Sequence, residues 1–267
     1  MTPEKAEAQV ELVLHRSPRE YGINRTRWRL QDVRKAISWL GDCSDPGICK
    51  LLKRLGFSRK QALHFIQSPD PEFHVKWRAI LRAFEDAAYH PETTVILFLD
   101  ELTYYRRATK APAYHRKGDD QPRVIGAAGA NTQTRVVAVL NGLTGQVLHL
   151  QDYIIGKNAL VSFYDQIGAA YPNIKKIYVV QDNWPTHRLP DVLAAMQANR
   201  VTPVFLPTYA SWLNPIEKLW RWLKQDVLHN NPNAANLKEL RAQVVEFLSR
   251  FNKNSDGLLR YTGLMSE

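Results

Sequence analysis

Two apolar, β-branched runs that each end in an aspartate constrain this chain more than any other feature of its sequence. Residues 94–99 (TVILFL) precede Asp100, and residues 176–181 (KIYVVQ) precede Asp182. Continuous apolar runs of this length are typical of strands that are buried on both faces. A carboxylate after such a strand lies at the rim of a sheet, where ligands bind in open α/β folds. For each aspartate alone, the alternative is a strand-terminating residue that accepts hydrogen bonds from turn amides.

A third acidic residue lies at the start of a predicted helix. Asn214 is the expected N-cap and Pro215 the first helical residue, so Glu217 falls in the first turn, which carboxylates also favour because of the helix dipole. The apolar stripe of this helix is formed by Ile216, Leu219, Trp220 and Leu223. Glu217 lies beside that stripe, where a carboxylate is costly unless it meets a cation.

Three carboxylates at one sheet edge would repel one another unless cations lay between them. Ligation by oxygen atoms alone selects Mg²⁺, for which Mn²⁺ can substitute. Two such ions about 3.5–4 Å apart activate a water and stabilise the leaving oxygen in phosphodiester cleavage. We therefore expect two Mg²⁺ ions at this site.

The order of the remaining elements indicates an α/β domain. The patterns predict strands over 94–99, 124–130, 135–140, 146–153, 176–181 and 201–206, a hairpin turn over 141–145, and helices over 158–171, 189–197, 215–228 and 236–251. Antiparallel strands followed by strand–helix alternation give a mixed sheet flanked by helices. This is the order of an RNase H-like catalytic domain, which we expect over residues 93–267.

A small all-α domain is expected before it, over residues 1–67. Helical patterns cover residues 5–15, 27–40, 45–55 (with Asp45 as the N-cap) and 58–66, the last with a capping box formed by Ser58 and Gln61. Three short helices with basic residues opposite the apolar stripe of the middle one suit a helix-turn-helix module. The alternative is a plain packing unit whose basic residues are only solvated. A proline-rich break at 68–71 and a helix over 72–89 give a connecting segment over 68–92.

The net charge of +10 is concentrated in two segments. Residues 23–60 contain ten Lys and Arg against three Asp, and residues 104–123 contain six against two. Such clustering is typical of a polyanion partner, although a solvated basic surface is the alternative. The expected DNA-binding residues are Arg34, Lys50, Lys53, Arg54, Arg59, Lys60, Arg106, Arg107, Arg116 and Lys117.

Several protein classes find no support in the sequence. No apolar run is long enough to cross a bilayer, and no secretion signal is visible, so we expect a cytoplasmic protein without a membrane partner. The two cysteines, Cys43 and Cys49, fit ordinary thiols. The chain lacks the phosphate-loop, hydrolase-elbow and zinc-protease motifs.

Three strings together resemble one known family. FLDE (98–101), VVQDNWPTH (179–187) and LPTYASWLNPIEKLW (206–220) are similar to the mariner-like superfamily of DDE transposases, in its bacterial insertion-sequence branch. The 34 residues between Asp182 and Glu217 are a spacing typical of that superfamily. The similarity extends over residues 28–251.

The resemblance implies a function and a set of residues. It implies a DNA transposase that cleaves transposon ends and transfers the 3′-hydroxyl into target DNA at TA sites. Asp100, Asp182 and Glu217 would bind both metal ions, and the partners would be terminal inverted repeats, target DNA and a second copy of the chain or a larger synaptic assembly.

The same resemblance implies auxiliary roles. Asn183 and His187 match a DN-x-x-x-H string and would position a metal-bound water or the scissile phosphate, whereas His187 has the alternative of capping the next helix. Glu101 matches the family's Asp-Glu pair, and it would support the site from outside because its side chain points away from that of Asp100.

Two departures from the family leave alternatives open. Residues 210–212 (ASW) replace the usual Ser-Pro and polar residue, so the approach to Glu217 is expected to differ. Family members also generally have a further N-terminal helix-turn-helix, so either a separate polypeptide supplies it or this copy has lost part of its end-recognition apparatus. The rival functions are a catalytically silent DNA-binding remnant or repressor of transposon ends, and a structure-selective nuclease.

Overall fold

The computed structural model describes residues 2–60, 68–118, 120–124, 126 and 131–266. The chain divides into two compact units, Met1–Phe65 and Ile66–Glu267. Most of the predicted third helix of the first unit (58–66) lies outside the described residues, and so does most of the predicted strand over 124–130. The described residues of that segment, Val124 and Gly126, are not in a strand.

The first unit is helical. It contains α1 (Pro3–Leu14), α2 (Leu30–Ala36) and α3 (Asp45–Arg54), with 3₁₀ turns at Pro18–Tyr21 and Ser38–Leu40. Its core is formed by Val10, Val13, Val33, Ile37, Leu40 and Ile48. Two predictions were wrong in detail: α2 ends earlier than expected, because Ile37 is extended, and the N-cap of α3 is Ser44 rather than Asp45, because the Ser44 hydroxyl accepts the Gly47 amide.

The second unit is built on a five-stranded mixed sheet. Its strands are β1 (Thr94–Tyr105), β2 (Gln133–Asn141), β3 (Val147–Asp152), β4 (Lys176–Gln181) and β5 (Val201–Phe205). Their spatial order is β3-β2-β1-β4-β5, in which β1–β2 and β2–β3 are antiparallel and β1–β4 and β4–β5 are parallel. The predicted mixed sheet is therefore confirmed, and its centre is β1.

Helices cover both faces of this sheet. They are α4 (Phe73–Tyr89), α5 (Lys157–Ala170), α6 (Pro190–Ala198), α7 (Ile216–Leu223), α8 (Leu237–Ser249) and α9 (Asp256–Thr262), and a π-helical turn over Lys224–Leu228 extends α7. We did not predict α9, which is only seven residues long. The buried residues of α4 pack into the core of this unit. No described helix has the length and apolarity to cross a membrane.

Side chains alternate between the two faces along β1, as in any strand. Phe98 and Leu102 pack with residues of α4, α7 and α8, whereas Leu97 and Leu99 pack with residues of α5 and α6. Asp100 and Glu101 lie within this strand rather than after it, because β1 continues to pair with β2 as far as Tyr105. The alternation therefore directs the two neighbouring carboxylates to opposite layers.

The hairpin between β2 and β3 contains a glycine that both its backbone conformation and its packing require. Gly145 has a φ of +71°, and a Cβ built on it would lie 2.3 Å from the backbone oxygen of Ser255. Ser255 also donates its amide to Thr144, so the turn is fixed against the start of α9. The predicted turn is confirmed, and this contact explains why a side chain has no room there.

We expect Gly145→Ala to destabilise the second unit more than Gly263→Ala. Both glycines have positive φ, which costs alanine roughly 1 kcal/mol, but a Cβ at Gly263 meets only the end of the Lys218 side chain. The added clash with backbone in Gly145→Ala is expected to raise the loss to about 2–4 kcal/mol. Denaturant unfolding of the two variants measures the difference, and equal losses would contradict the packing argument.

Candidate active site

Asp100 lies on the α4–α7–α8 face of the sheet and is fixed by an indole. Trp220 donates its Nε1 hydrogen to Asp100 Oδ2 over 2.9 Å, and Trp220 itself is almost fully buried. This bond orients the carboxylate toward α7. It also satisfies one lone pair of a group that the strand has withdrawn from water.

Glu217 comes from the first turn of α7, as predicted, but the start of that helix differs from the prediction. Asn214 does not cap it with its side chain, since its Oδ1 atom accepts no helix amide. Its Nδ2 group donates instead to the carbonyl oxygen of Leu99 over 2.9 Å in a buried position. A 3₁₀ turn over Ser211–Leu213 precedes it, in the segment where the sequence departs from the family. The Asn214 bond ties the start of α7 to β1 one residue before Asp100, which sets Glu217 against that aspartate.

Asp182 follows β4 directly, at the rim of the sheet, as predicted. Its Oδ1 atom accepts the amide of Trp184 over 2.9 Å, and its side chain is 53% exposed. Turn-amide acceptance is the ordinary role of a strand-terminating aspartate. Here that bond leaves the carboxylate open to solvent.

The three predicted acidic residues border the same pocket. Asp100, Asp182 and Glu217 all line a pocket of about 420 Å³, together with Asn183, Trp184, Asn214 and residues of the 206–211 loop. They come from β1, the end of β4 and α7, which are far apart in sequence. The fold therefore brings the three carboxylates to one concave surface.

The electrostatics of this pocket favour a cation. Burial, followed by the charges of Glu217 and Glu101, raises the pKa of Asp100 to about 8. Burial also raises the pKa of Glu217, while Lys224 and Arg221 act in the opposite direction. Neighbouring carboxylates that resist ionisation, with only oxygen donors facing the pocket, fit a divalent metal ion of the Mg²⁺ or Mn²⁺ type.

Of the auxiliary residues, His187 and Glu101 lie on the other side of Asp182, whereas Asn183 lines the pocket. His187 is fully buried, and its Nε2 atom lies 3.4 Å from Glu101 Oε1 and 3.6 Å from Asp182 Oδ1. A buried ring has no direct access to a DNA phosphate, and it does not cap α6, which has no side-chain cap. Asn183 is bound on both sides, since it donates to the Leu206 carbonyl and accepts from Arg188. His187 thus contacts Asp182 from behind, and Asn183 holds the start of the 206–211 loop.

A further contact network, which no sequence pattern indicated, holds that loop. Asp70 accepts the Thr208 amide and the Lys76 ammonium through Oδ2, each over 2.8 Å, and Ser68 donates to the Thr208 carbonyl. These bonds, above all the one from Lys76, hold the pKa of the Asp70 carboxyl well below its usual range. The sequence of the 68–71 segment indicated only a helix break, because its partner, Thr208, is more than a hundred residues away in the chain.

The expected DNA-binding residues are mostly exposed in the structure. The exposed ones are Lys50, Lys53, Arg54, Arg59, Lys60, Arg107, Arg116 and Lys117. Arg34 is instead half-buried, donates to the Cys43 carbonyl and faces Asp45, so it stabilises the first unit. Arg106 is also half-buried. In the second basic segment, Tyr104 belongs to the core and donates to Gln151.

The comparison with known proteins identifies the family. A family model described as DDE superfamily endonuclease matches residues 95–241, more than half of the chain. The chain belongs to the DDE endonuclease superfamily. The matched region contains the three carboxylates of the pocket, and it also contains Glu101 and His187.

Individual relatives agree with this assignment. An uncharacterized 39 kDa protein of insertion element IS630 from Shigella sonnei is 24% identical over 242 residues, which is 89% of this chain and 68% of the relative. Two Mos1 mariner paired-end complexes, with Mn and with Mg, match with TM-scores of 0.68, at 11% and 12% identity. They cover 96% and 97% of this chain and 74% and 76% of theirs. The predicted resemblance to DDE transposases of the mariner-like superfamily, in its bacterial insertion-sequence branch, and the predicted RNase H-like fold are confirmed.

We expect Asp100→Asn to stabilise the metal-free transposase by roughly 1–3 kcal/mol, because it removes a charge that burial and Glu217 disfavour. The unfolded carboxyl ionises near its ordinary pKa of 3.8 and the folded one near 8, so wild-type stability falls as the pH rises between these values. The advantage of the variant should therefore grow over that interval. Thermal unfolding in a chelator measures it, and Mg²⁺ should raise the wild-type Tm more than that of the variant. An unchanged Tm at all pH values would contradict the burial of the charge.

We expect Asn214→Asp to destabilise the second unit by about 1–3 kcal/mol, because it replaces the donor facing the Leu99 carbonyl with a buried acceptor. Asn173→Asp, at an exposed position, introduces the same charge and serves as the control. Chemical denaturation of both variants measures the difference. If the two changes had equal effects, the Asn214 bond would not hold α7 on β1.

Proposed function

We propose that this transposase cleaves DNA at the ends of its element in a metal-dependent reaction and transfers the resulting 3′-hydroxyl into target DNA, at TA sites. The observation that supports this most is the common pocket lined by Asp100, Asp182 and Glu217. An RNase H-like sheet supplies two of these carboxylates and α7 the third. The match to a DDE endonuclease family over the same residues supports the same chemistry.

Under this proposal the three carboxylates hold two Mg²⁺ ions, for which Mn²⁺ can substitute. Bound there, the ions would supply Lewis-acid activation of the attacking oxygen and charge stabilisation at the leaving oxygen of the phosphodiester. The mixed burial of the donors suits this role. Asp100 and Glu217 are partly desolvated, which strengthens their attraction for a cation, whereas Asp182 is exposed and meets the incoming strand.

The remaining residues act by orienting these donors. Trp220 fixes the rotamer of Asp100, Asn214 fixes the start of the Glu217 helix, and the Trp184 amide fixes Asp182. Asp70 and Ser68 hold Thr208, a residue of the loop that borders the pocket. A site held this way needs little rearrangement when charge develops at the scissile phosphate.

DNA binding is assigned to the basic residues. Exposed Lys and Arg of α3 and the segment after it would bind the terminal inverted repeat through phosphate contacts, in a helix-turn-helix module over residues 1–67. Residues 68–92 then serve as the connecting segment and 93–267 as the catalytic domain. The exposed basic residues between β1 and β2 would contact the transposon end or a second subunit.

Transposition requires both ends in one complex, so we propose a homodimer or larger synaptic assembly on DNA. The Mos1 structures that this chain resembles are paired-end and strand-transfer complexes, one of them with the left transposon end. A separate polypeptide would supply any additional helix-turn-helix module. Action on element DNA in a bacterial cell places the protein in the cytoplasm, at the nucleoid.

The test is cleavage of a supercoiled plasmid that bears the terminal inverted repeats, in Mg²⁺. We expect Asp182→Asn and Glu217→Gln each to lower the cleavage rate at least about 10³-fold, while end binding stays within about threefold, because the carboxylates act on the reacting phosphate and not on recognition. Asp191→Asn, at an exposed residue of α6, is the matched control and should cleave like the wild type.

Each of the other outcomes would support a different conclusion about this protein's function. Wild-type binding to the ends without nicking would favour the catalytically silent remnant. Cleavage of branched DNA without any terminal sequence would favour the structure-selective nuclease. Full activity of Asp182→Asn would refute the assignment of the site.

A further inference from the structure

The opposite face of β1 carries a second cluster of potential ligands, formed by Glu101, Asp182 and His187. One ligand atom from each residue lies within 4.8 Å of the other two. Glu101 points into the α5–α6 layer, His187 comes from the 3₁₀ turn Pro185–Arg188, and Asp182 lies at the rim between the two faces. This cluster therefore shares one residue with the pocket of Asp100 and Glu217 and lies behind it.

The buried atoms of this cluster lack hydrogen-bond partners. Within the described part of the chain, neither ring nitrogen of His187 has one, and Glu101 Oε1 has none. His187 is 0% exposed and the Glu101 side chain is 16% exposed, so bulk water does not compensate. A buried polar atom without a partner is costly, and two of these atoms, His187 Nε2 and Glu101 Oε1, lie 3.4 Å apart beside Asp182, which indicates a missing partner there.

The neighbouring polar groups do not supply that partner. The Tyr164 hydroxyl donates to Gln181 Oε1 over 2.6 Å, and Trp184 presents its ring edge-on to the imidazole at a centroid distance of 5.5 Å. Arg188, the nearest cation in sequence, donates to Asn183 and stacks over Phe205 instead. Two carboxylates thus face a single imidazole, and the cluster lacks positive charge.

We propose that Glu101, Asp182 and His187 bind one divalent transition-metal ion, of the Mn²⁺ or Zn²⁺ type, on the α5–α6 side of Asp182. Imidazole nitrogen combined with carboxylate oxygen selects such ions over Mg²⁺, which prefers oxygen donors and water. Ligands about 2.1 Å from a tetrahedral ion are separated by about 3.4 Å. The His187 nitrogen lies 3.4 Å and 3.6 Å from the two carboxylate oxygens, which matches that geometry.

This site is distinct from the catalytic pair and does not depend on the proposed function. Asp182 Oδ1 faces His187, so its Oδ2 atom is left for the pocket of Asp100 and Glu217. A carboxylate can bridge two cations with one oxygen on each. The ion would hold Asp182 at the sheet rim from behind, at a position that DNA does not reach.

The experiment isolates the new site and measures it without DNA. In the full chain, Asp100→Asn combined with Glu217→Gln removes two of the three donors of the catalytic pocket and leaves Glu101, Asp182 and His187 intact. We expect this double variant to bind one Mn²⁺ per chain, with a ¹⁴N coupling in pulsed electron paramagnetic resonance that reports a directly bound imidazole. Calorimetry gives the affinity, and circular dichroism checks that the variant is folded.

Adding His187→Gln to that background should abolish the ¹⁴N coupling and weaken Mn²⁺ binding by about 10–100-fold. Adding Glu101→Gln instead should weaken binding while the coupling remains. His149→Gln, at a half-buried histidine of β3, is the matched control and should change neither.

Two results would overturn the proposal. The first is Mn²⁺ binding without ¹⁴N coupling in the double variant. The second is no binding up to millimolar Mn²⁺ and Zn²⁺ in the folded protein, which would leave His187 as an imidazolium between two carboxylates. Neither result bears on cleavage by Asp100, Asp182 and Glu217, so a failure here is distinguishable from a failure of the proposed function.

Discussion

The repulsion among carboxylates around the central strand is the constraint on which the rest of the structure depends. β1 directs Asp100 to one layer and Glu101 to the other, and Asp182 ends the parallel neighbour at the rim. Burial and Glu217 make ionisation of Asp100 unfavourable. The packing of the sheet and helix cores holds these carboxylates together in spite of their repulsion. Their proximity favours cation binding at the place where the chemistry is proposed.

Much of the surrounding polar structure serves to hold these groups in place. An indole holds Asp100, a buried amide ties α7 to β1, and an aspartate at the start of the second unit fixes the loop beside the pocket. Each of these bonds joins segments that are distant in sequence. Together they bring elements that carry one acid each into a single preorganised surface. Preorganised groups of this kind are what electrostatic catalysis of phosphoryl transfer requires.

The two faces of the sheet also explain the different surroundings of Asn183 and His187. His187 has no direct access to a phosphate, since it is fully buried, whereas Asn183 lines the pocket and its side-chain amide is held by the Leu206 carbonyl and by Arg188. Their contacts meet at Asp182 and at the adjoining 206–211 loop. The histidine therefore connects the chemistry of the pocket to a layer that solvent does not enter.

The sequence by itself determined five of the six predicted strands, the mixed sheet and the helix that carries Glu217, because hydrophobic periodicity and residue spacing are local properties of the chain. It did not reveal the extension of β1 past Asp100, the short α9 or the partners of Asp70 and Asn214. Those features depend on pairing and packing between segments up to 138 residues apart, which no local pattern records. Strand alternation already predicted that Asp100 and Glu101 point apart, but only the tertiary structure decided that Trp220 meets the first and His187 the second, because those contacts join distant segments.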